Sequence, residues 1–285
     1  MKKNVMSVFT RSPMHIGAGS SVGIVDLPII RERHTGYPVI PGSSLKGVLA
    51  DLWKEDMEKN DKGKWFRKID STAEKLFGVD NDPKKAATGN LLVGESRIVA
   101  FPVRSAKAGF AWVTCPLALG RYFRDANVKT AIPLLKEMEC AAPAALCFDQ
   151  QSIILEEYLI SVKTDVPEAI VAEMKKLSDD SLWQEELQNH LVILSDEMFK
   201  YFVESTCEIA QHVKINDDTG TADGGALFNQ ENVPAETMFY TAIHELKDGC
   251  IDALKAKMQE NNNLLQIGAD ATTGLGWCSV AFQEL

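Results

Sequence analysis

The first fifty residues combine the side chains and backbone features that anion chemistry needs. A glycine-rich turn spans 15–20, and glycine lets the backbone take positive φ angles and lets a ligand approach closely. An isolated acid follows the turn, and two arginines follow the acid. A cationic segment beside such a turn favours an anionic ligand, and phosphate is the usual candidate. The candidate residues are His15, Gly17, Gly19, Asp26, Arg31 and Arg33.

A helix is predicted directly after this segment. Apolar residues recur at helical spacing, which predicts a helix over 45–59 with Ser43 as its N-cap. A lysine stands in the first turn, where the helix dipole disfavours a cation. An anion bound at the free N–H groups would explain this lysine, whereas an ordinary capped helix with a solvated lysine is the simpler alternative. The residues that would contact the anion are Ser43, Ser44 and Lys46.

A second glycine-rich loop lies near the C-terminus, over 268–276. Backbone N–H groups and threonine hydroxyls can donate hydrogen bonds to a phosphate. The loop lacks the Gly-Lys-Ser/Thr ending of a P-loop and the strand–helix context of a dinucleotide loop. A glycine hairpin without a ligand is an equally good interpretation of this motif alone. The residues that would contact a ligand are Gly268, Thr272, Thr273, Gly274 and Gly276.

Composition and charge are those of a soluble globular protein with an uneven charge distribution. The net charge is −10, but the first 150 residues carry 22 Lys and Arg against 16 Asp and Glu, and the remainder carries 8 against 24. One basic working surface, or head-to-tail stacking of identical subunits, would suit this polarity. No apolar run or signal peptide indicates a membrane partner. The six scattered cysteines are typical of reduced thiols and indicate a cytoplasmic protein.

The order of predicted elements favours an α+β fold, because helices and strands interleave without strict alternation. We predict that Trp112–Ala126 and Lys129–Cys140 are each wholly or partly helical, and that Glu208–Ile215 is a strand. The segment Asn216–Gly225 is rich in turn residues and lies between two extended stretches, so it predicts the tip of a projecting hairpin. The long loop over 11–44 is of a length that usually signals function.

Together these residues resemble the RAMP superfamily of CRISPR-associated proteins, and specifically the repeated backbone subunit of the type III-B (Cmr) effector complex. The similarity extends from near residue 5 to near residue 280, and its most specific part is the block over 26–47. The C-terminal glycine loop alone is characteristic only of the superfamily. The segments that carry the resemblance are 15–19, 26–32, 35–47, 225–228, 231–234 and 268–276.

The resemblance implies a ferredoxin-like (RRM-like) core with large insertions, in a single RAMP domain over 1–285 with a thumb hairpin at about 215–235. Copies of such a subunit stack as a helical filament along a CRISPR guide RNA, beside other Cmr complex subunits. The thumb displaces a nucleotide of the guide–target duplex, and the single-stranded target RNA is cut there at regular intervals.

The resemblance also implies catalytic roles: Asp26 is the nuclease residue and metal ligand, and His15 and Glu231 assist it. Cleavage uses Mg²⁺ or Mn²⁺ and the 2′-OH of the RNA as nucleophile, and one carboxylate suffices because such ions keep waters and take phosphate oxygens as ligands. Each residue also has a structural alternative. His15 could bond within its turn, Asp26 could form a turn, and Glu231 could be a solvated loop side chain.

Three positions depart from the family pattern. Ala50 replaces a common arginine, Ala269 a common glycine and Leu275 a frequent lysine, so guide binding is expected to depend more on Lys46 and the two arginines after Asp26. The leading interpretation is an RNA-guided endoribonuclease subunit that is active within its complex. The alternative is a non-catalytic RAMP scaffold that only binds guide RNA. Such a scaffold has no need of a carboxylate beside phosphates.

Overall fold

The computed structural model describes residues 2–21, 23–59, 63–79, 87–149, 151–216 and 218–285, with all their side chains except those of 214 and 223–226. Its strands are β1 (Lys3–Thr10), β2 (Val39–Ile40), β3 (Met57–Lys59), β4 (Trp65–Arg67), β5 (Leu91–Val93), β6 (Ser96–Ser105), β7 (Gly109–Thr114), β8 (Glu139–Ala141), β9 (Ser152–Leu155), β10 (Tyr158–Thr164), β11 (Leu191–Leu194), β12 (Glu208–Ile215), β13 (Ala222–Asn232), β14 (Met238–Glu245), β15 (Leu264–Gln266) and β16 (Trp277–Glu284). Its helices are α1 (Gly42–Ala50), α2 (Thr72–Phe77), α3 (Pro116–Asp125), α4 (Glu168–Lys175), α5 (Ser181–His190), α6 (Asp196–Ser205) and α7 (Cys250–Glu260).

The main sheet is antiparallel at its centre, where its strands run in the order β16, β1, β14 and β6. The strand β1 lies between β16 and β14, with Val8 opposite Val280 on one side and Phe239 on the other. Both faces of β1 are covered: Met6 and Val8 belong to one buried cluster and Val5 and Phe9 to another. Because β1 is buried on both faces, the long segment that follows Thr10 starts from a fixed position.

Six strands continue the sheet and close on themselves. They run in the order β6, β7, β11, β8, β10 and β9, and β9 returns to β6 through the pair Ser105 and Leu155. This six-stranded barrel is lined and covered by aromatic side chains. Trp112 packs edge-on against Phe110 at 4.9 Å and against Trp183 at 5.0 Å between ring centroids. Such pairs stabilise a core beyond the area that they bury.

A separate antiparallel hairpin is formed by β12 and β13. The hairpin agrees with the strand predicted over Glu208–Ile215 and with the tip predicted directly after it, although β13 already begins at Ala222. The paired strands extend over 208–232, whereas the resemblance implies a thumb at about 215–235. Within its tip, Asp217 lies outside the described residues. Ile209, Val213 and Leu227 are 51%, 48% and 68% exposed, so the hairpin presents apolar side chains to its surroundings. Its base, near Asn232, lies against the segment that follows β1.

The helix after β2 differs from its prediction. It spans Gly42–Ala50, is preceded by Pro41 as its N-cap residue, and has no side-chain capping bond, so the assignment of Ser43 as N-cap is wrong. A 3-10 turn over Asp51–Asp56 follows, because Trp53 has non-helical angles (φ −103°, ψ 53°). That turn still directs Trp53 into the core, where its ring lies 5.5 Å from Phe77. The apolar spacing therefore continued beyond the helix itself.

Of two further helix predictions, the one over Trp112–Ala126 is confirmed in part and the one over Lys129–Cys140 is wrong. The segment predicted as helix over Trp112–Ala126 consists of the end of β7 followed by α3, with Cys115 as the N-cap and Pro116 in the first turn. Over Lys129–Cys140 there is no helix; the chain is irregular until β8. Two of its apolar residues, Ile132 and Leu135, and Val128 just before it pack against the buried cluster that contains Trp112 and Trp183.

Candidate functional site

The C-terminal end of β13 brings the three candidate catalytic residues together. His15 Nδ1 lies 2.7 Å from the backbone oxygen of Glu231, and the backbone N–H of Asn229 donates to Asp26 Oδ2 at 2.9 Å. Between these two contacts, Leu27 and Gln230 form an isolated parallel β-bridge. Residues more than two hundred positions apart therefore meet over three consecutive residues of one strand.

The segment between β1 and β2 is a laddered ribbon and not an irregular loop. Met14 and Val233 exchange backbone hydrogen bonds at 2.8 and 2.9 Å, and Ala18 N–H donates to Pro28 O at 2.9 Å. The turn between these contacts passes close to the His15 ring: a Cβ at Gly17 would lie 2.7 Å from His15 Nε2. Glycine is required at 17 because the imidazole fills the space of a side chain.

His15 is buried, with 5% of its surface exposed. A backbone carbonyl can only accept, so His15 Nδ1 is the donor in its contact with the Glu231 oxygen. This bond fixes the ring orientation and leaves Nε2 facing the turn at Gly17. The imidazole therefore supports the ribbon from inside through its bond to β13, whereas the structural alternative considered from the sequence was a bond within its own turn.

Asp26 is the exposed member of the group. Its Oδ2 accepts from Asn229 N–H, and its backbone oxygen accepts from Ser21 N–H at 2.9 Å. Within the described part of the chain, no hydrogen bond engages its other carboxylate oxygen, Oδ1. The carboxylate is thus held at one oxygen and open to solvent at the other, as a ligand for a cation or a substrate requires.

Glu231 is buried, with 7% of its surface exposed, and both of its carboxylate oxygens are occupied. Oε1 accepts from Arg31 at 2.5 Å, and Oε2 accepts from Ile29 N–H at 3.0 Å. An ionised, charge-assisted pair of this kind is strong when it is shielded from water. Glu231 therefore ties the ribbon to β13 and is not the solvated loop acid that its sequence position allowed.

Arg31 and Arg33, both predicted to bind RNA, occupy different environments. Besides Glu231, the Arg31 guanidinium donates to Gly36 O at 2.9 Å and to Val203 O at 2.8 Å, and burial raises the pKa of the Cys207 thiol beside it to about 12. Arg31 therefore joins the ribbon to α6 and β13 inside the protein. Arg33 is exposed and has no hydrogen bond or ion pair with the described residues. It remains available to an anion.

The C-terminal glycine loop packs against the turn that holds His15. Ala269 N–H donates to the backbone oxygen of His15 at 2.9 Å, and Gly276 N–H donates to Pro13 O at 2.8 Å. The side chain of Gln230, on β13, reaches Asp270 at 2.9 Å. The two glycine-rich segments of the sequence thus form one surface. Of the glycines and threonines predicted to contact a ligand, Gly276 is buried and the others are exposed: Gly17, Gly19, Gly268, Thr272, Thr273 and Gly274.

Replacing Gly268 by alanine is expected to loosen this contact. Gly268 has φ +92°, and a Cβ there would lie 2.2 Å from the His15 backbone oxygen. We expect a loss of about 1–3 kcal/mol in the free energy of unfolding, measured by urea titration. Gly274 is the matched control: it also has a positive φ (+89°), but among the described residues no atom lies within 4 Å of the position that a Cβ would take. Equal losses in Gly268→Ala and Gly274→Ala would contradict the contact.

The N-terminus of α1 is the second place where the sequence suggested a bound anion. Ser43 and Ser44 are exposed and Lys46 is half-buried, and none of their side chains has a hydrogen bond or ion pair with the described residues. With no side-chain cap, the first N–H groups of the helix remain open to an anion. Gly42 brings this end close to the sheet, since a Cβ there would lie 2.9 Å from Val93 O. Among the described residues, no hydrogen bond joins this helix end to Asp26, His15 or Glu231.

A metal ion would find few protein ligands at Asp26. The described residues contain no group of three or more His, Cys, Asp or Glu side chains that could hold a metal. The free Oδ1 of Asp26 fits an ion such as Mg²⁺ or Mn²⁺ that keeps its waters and takes phosphate oxygens as further ligands. It does not fit an ion that needs a protein cage.

Two residues of this site escaped the sequence analysis. Asn229 bonds Asp26 in two ways, and Asp270 receives the Gln230 side chain. The available signal was the polar run Asn229–Asn232 at the end of an extended segment, since four polar residues are unusual in a strand that becomes buried. Separately, in the part of the chain that the structure describes, no helix has the length and apolar character needed to cross a membrane.

The chain is similar to known proteins along its whole length. The RAMP superfamily model matches residues 9–279. The CRISPR system Cmr endoribonuclease Cmr4 of Pyrococcus furiosus is 35% identical over 298 aligned residues, covering 100% of this chain and 97% of the relative. The crystal structure of oligomeric Cmr4 from Pyrococcus furiosus superposes with a TM-score of 0.75 at 30% identity, over 100% of this chain and 99% of that one.

The same fold occurs in a larger assembly. A chain of the type III-B Cmr-beta complex bound to cognate target RNA, solved by cryo-electron microscopy, superposes with a TM-score of 0.74 over 99% of this chain and 97% of that one. Its identity is 20%, so this likeness concerns the fold alone. The family match over 9–279 and the full-length relative agree with the mixed α/β architecture described above. The chain belongs to the RAMP superfamily.

Proposed function

We propose that this chain is the repeated backbone subunit of a type III-B CRISPR effector complex, where it binds guide RNA and cleaves complementary target RNA at regular intervals. The observation that carries the proposal is an exposed carboxylate, Asp26, held by β13 in a chain that matches a named Cmr endoribonuclease from end to end. In this proposal its partners are the guide RNA, the single-stranded target RNA, other Cmr subunits and further copies of itself in a helical filament. Its place is the cytoplasm.

The proposed architecture is a single RAMP domain over 1–285 with a ferredoxin-like core. In support, the central strands follow the order β16, β1, β14 and β6, with α1 after β1 and α7 after β14. A chain order of βαββαβ gives this 4-1-3-2 sheet order in ferredoxin-like folds. The barrel strands and the smaller helices would then be insertions, and the β12–β13 hairpin would be the thumb.

Asp26 is the catalytic residue in the proposed reaction. The 2′-OH oxygen of a target ribose attacks the adjacent phosphorus while the bond from phosphorus to the 5′ oxygen breaks. The products are a 2′,3′-cyclic phosphate and a 5′-OH, with the 2′ proton lost to solvent and another gained by the leaving oxygen. A divalent cation held by Asp26 Oδ1, waters and phosphate oxygens would supply positive charge at the phosphate.

His15 and Glu231 act by positioning in this proposal. Both are buried, and both hold the ribbon that carries Asp26 against β13. Neither side chain is open to a substrate in the way that Asp26 is. Their replacement would therefore change cleavage through the placement of Asp26, since in-line attack depends strongly on the geometry of the reacting groups.

Guide binding is proposed for the exposed anion-binding features. The α1 N-terminus offers free N–H groups beside Lys46, Arg33 offers a cation with no partner among the described residues, and the joined glycine loops offer backbone donors. Contacts of this kind recognise the phosphate backbone without reading sequence, which suits a subunit whose target is chosen by base pairing. The alternative, a scaffold that only binds guide RNA, would use the same features but has no use for Asp26.

The test is cleavage of labelled target RNA by the reconstituted guide-loaded complex in Mg²⁺ or Mn²⁺, with EDTA as the metal-free condition. We expect evenly spaced products in either metal and none in EDTA, while the target stays bound. Absence of cleavage under all conditions, with the target bound, would favour the scaffold. Irregular products, or products that persist in EDTA, would contradict the proposed mechanism.

A further inference from the structure

Asp26 and Asn229 form a reciprocal pair that joins the ribbon to the hairpin. The Asn229 side-chain oxygen accepts from the Asp26 backbone N–H at 2.8 Å, and the Asn229 backbone N–H donates to Asp26 Oδ2 at 2.9 Å. The side-chain amide also donates to Ile24 O at 3.4 Å. One asparagine therefore contacts the backbone of Asp26, its carboxylate and the turn that leads to it.

Among the described residues, the turn from Gly23 to Asp26 has few other contacts that hold it in place. Ile24 is 97% exposed, and Gly23 and Asp26 are exposed as well. A segment that buries so little apolar surface is held in place mainly by its hydrogen bonds. Ser21 N–H bonds to Asp26 O within the turn, but among the described residues the bonds from the turn to the rest of the protein at Asp26 and Ile24 all go to Asn229.

The pair also decides which carboxylate oxygen is free. Because Oδ2 is held by Asn229 N–H, rotation of the carboxylate is restricted and Oδ1 is the oxygen that faces solvent. Partners that orient a metal-binding carboxylate typically contribute about 10–100-fold to metal affinity or activity. Here the bond to Oδ2 comes from the Asn229 backbone, and the Asn229 side chain keeps Asp26 within reach of that bond through the Asp26 N–H. Asn229 thus fixes the orientation of Asp26, as the residues behind metal ligands do in known metal sites.

Asn229 lies on the hairpin strand, so the pair also connects the hairpin to the carboxylate. Next to it, Leu27 N–H donates to Asn229 O at 3.1 Å, and Glu231 N–H donates to Leu27 O at 2.9 Å. These ladder bonds make the strand and the ribbon move together. A shift of β13 at this point would shift Asp26.

We propose that Asn229 is a positioning residue for cleavage: its side chain holds the backbone of Asp26 and Ile24 in place, so that the Asp26 carboxylate meets the Asn229 backbone N–H through Oδ2 and turns Oδ1 toward the scissile phosphate. This inference rests on the proposed function of Asp26. It assigns to the base of the hairpin a part in catalysis that is separate from any contact with RNA, because Asn229 acts through Asp26.

The experiment measures single-turnover cleavage by the reconstituted guide-loaded complex as a function of Mn²⁺ concentration. In Asn229→Ala we expect a cleavage rate about 10–100-fold lower, with a half-saturating Mn²⁺ concentration raised several-fold and target binding unchanged. Asn229→Asp keeps the acceptor for the Asp26 N–H and should recover most of the rate at saturating Mn²⁺. Gln211→Ala is the matched control, since Gln211 is exposed and pairs with Asn229 across the hairpin.

Asn229→Leu and Asn229→Asp, which match the size of asparagine, serve if the alanine variant does not assemble. The inference requires the aspartate variant to cut faster than the leucine variant at equal target occupancy. Wild-type cleavage in Asn229→Ala, or equal rates in the leucine and aspartate variants, would overturn it. If Asp26→Asn cuts normally, the proposed function of Asp26 fails. If Asp26→Asn is inactive while Asn229→Ala cuts normally, only the present inference fails.

Discussion

Replacing Glu231 by alanine is expected to lower the free energy of unfolding by about 3–5 kcal/mol, the usual cost of breaking a buried ion pair by removing one partner. The Arg31 side chain is 20% exposed, so its guanidinium would stay largely buried with its carboxylate gone. The buried N–H of Ile29 would also lose its acceptor, Glu231 Oε2. Urea unfolding of wild type and variant under identical conditions measures the loss.

A double-mutant cycle with Arg31→Ala separates the pair from its surroundings. If the two side chains stabilise the protein mainly through each other, the double variant should lose much less free energy of unfolding than the two single variants lose in sum. Any loss of target cleavage in Glu231→Ala should then follow the loss of stability. A variant that is inactive yet destabilised by less than about 1 kcal/mol would instead assign Glu231 to the chemistry itself.

Replacing Asp26 by asparagine is expected to reduce target cleavage on the order of 10³-fold, because the variant loses the charge that would hold a metal ion worth several kcal/mol at the phosphate. Asparagine is isosteric and keeps an oxygen that can accept from Asn229 N–H, so the ribbon should stay in place. Binding of target RNA should be unchanged or slightly tighter, since a negative charge is removed. Rates and affinities are measured in the same guide-loaded complex.

Asp248→Asn is a suitable control for that variant. Asp248 is an exposed acid in the turn before α7, it carries the same charge as Asp26, and among the described residues no hydrogen bond joins it to β13. Its replacement changes the net charge of the chain equally and should leave cleavage at the wild-type rate. Equal effects of the two substitutions would mean that charge alone, and not a specific carboxylate, controls cleavage.

The sequence was most informative where local chemistry decides the structure. The ends of α2 show this, with Ser71 Oγ accepting from Glu74 N–H at 3.1 Å at its start and Gly78 directly after its last residue. The hairpin tip was predicted from its turn residues, and the strand before it was predicted with the bounds that the structure gives, Glu208–Ile215. These features depend on neighbours in sequence, so composition and spacing suffice to predict them.

Predictions failed where contacts between distant parts of the chain determine the local conformation or the partner of a side chain. The spacing of Val128, Ile132 and Leu135 suits a helix, yet these residues lie in an irregular segment because the buried cluster beside them offers the apolar surface. Asp26 was identified as a candidate through resemblance, but its bond to Asn229 was not predictable. The burial of Glu231 by Arg31 was equally hidden, since 200 residues separate the two. Long-range register is a property of the assembled fold.

The most direct test of the central claim uses guide-loaded complexes assembled with a known fraction of Asp26→Asn subunits. If each copy cuts the target at its own Asp26, the yield at every cleavage position should fall in proportion to the variant fraction. It should reach zero at full replacement while target binding stays constant. Wild-type cleavage in a complex built entirely from Asp26→Asn subunits would contradict the claim that this chain cuts the RNA.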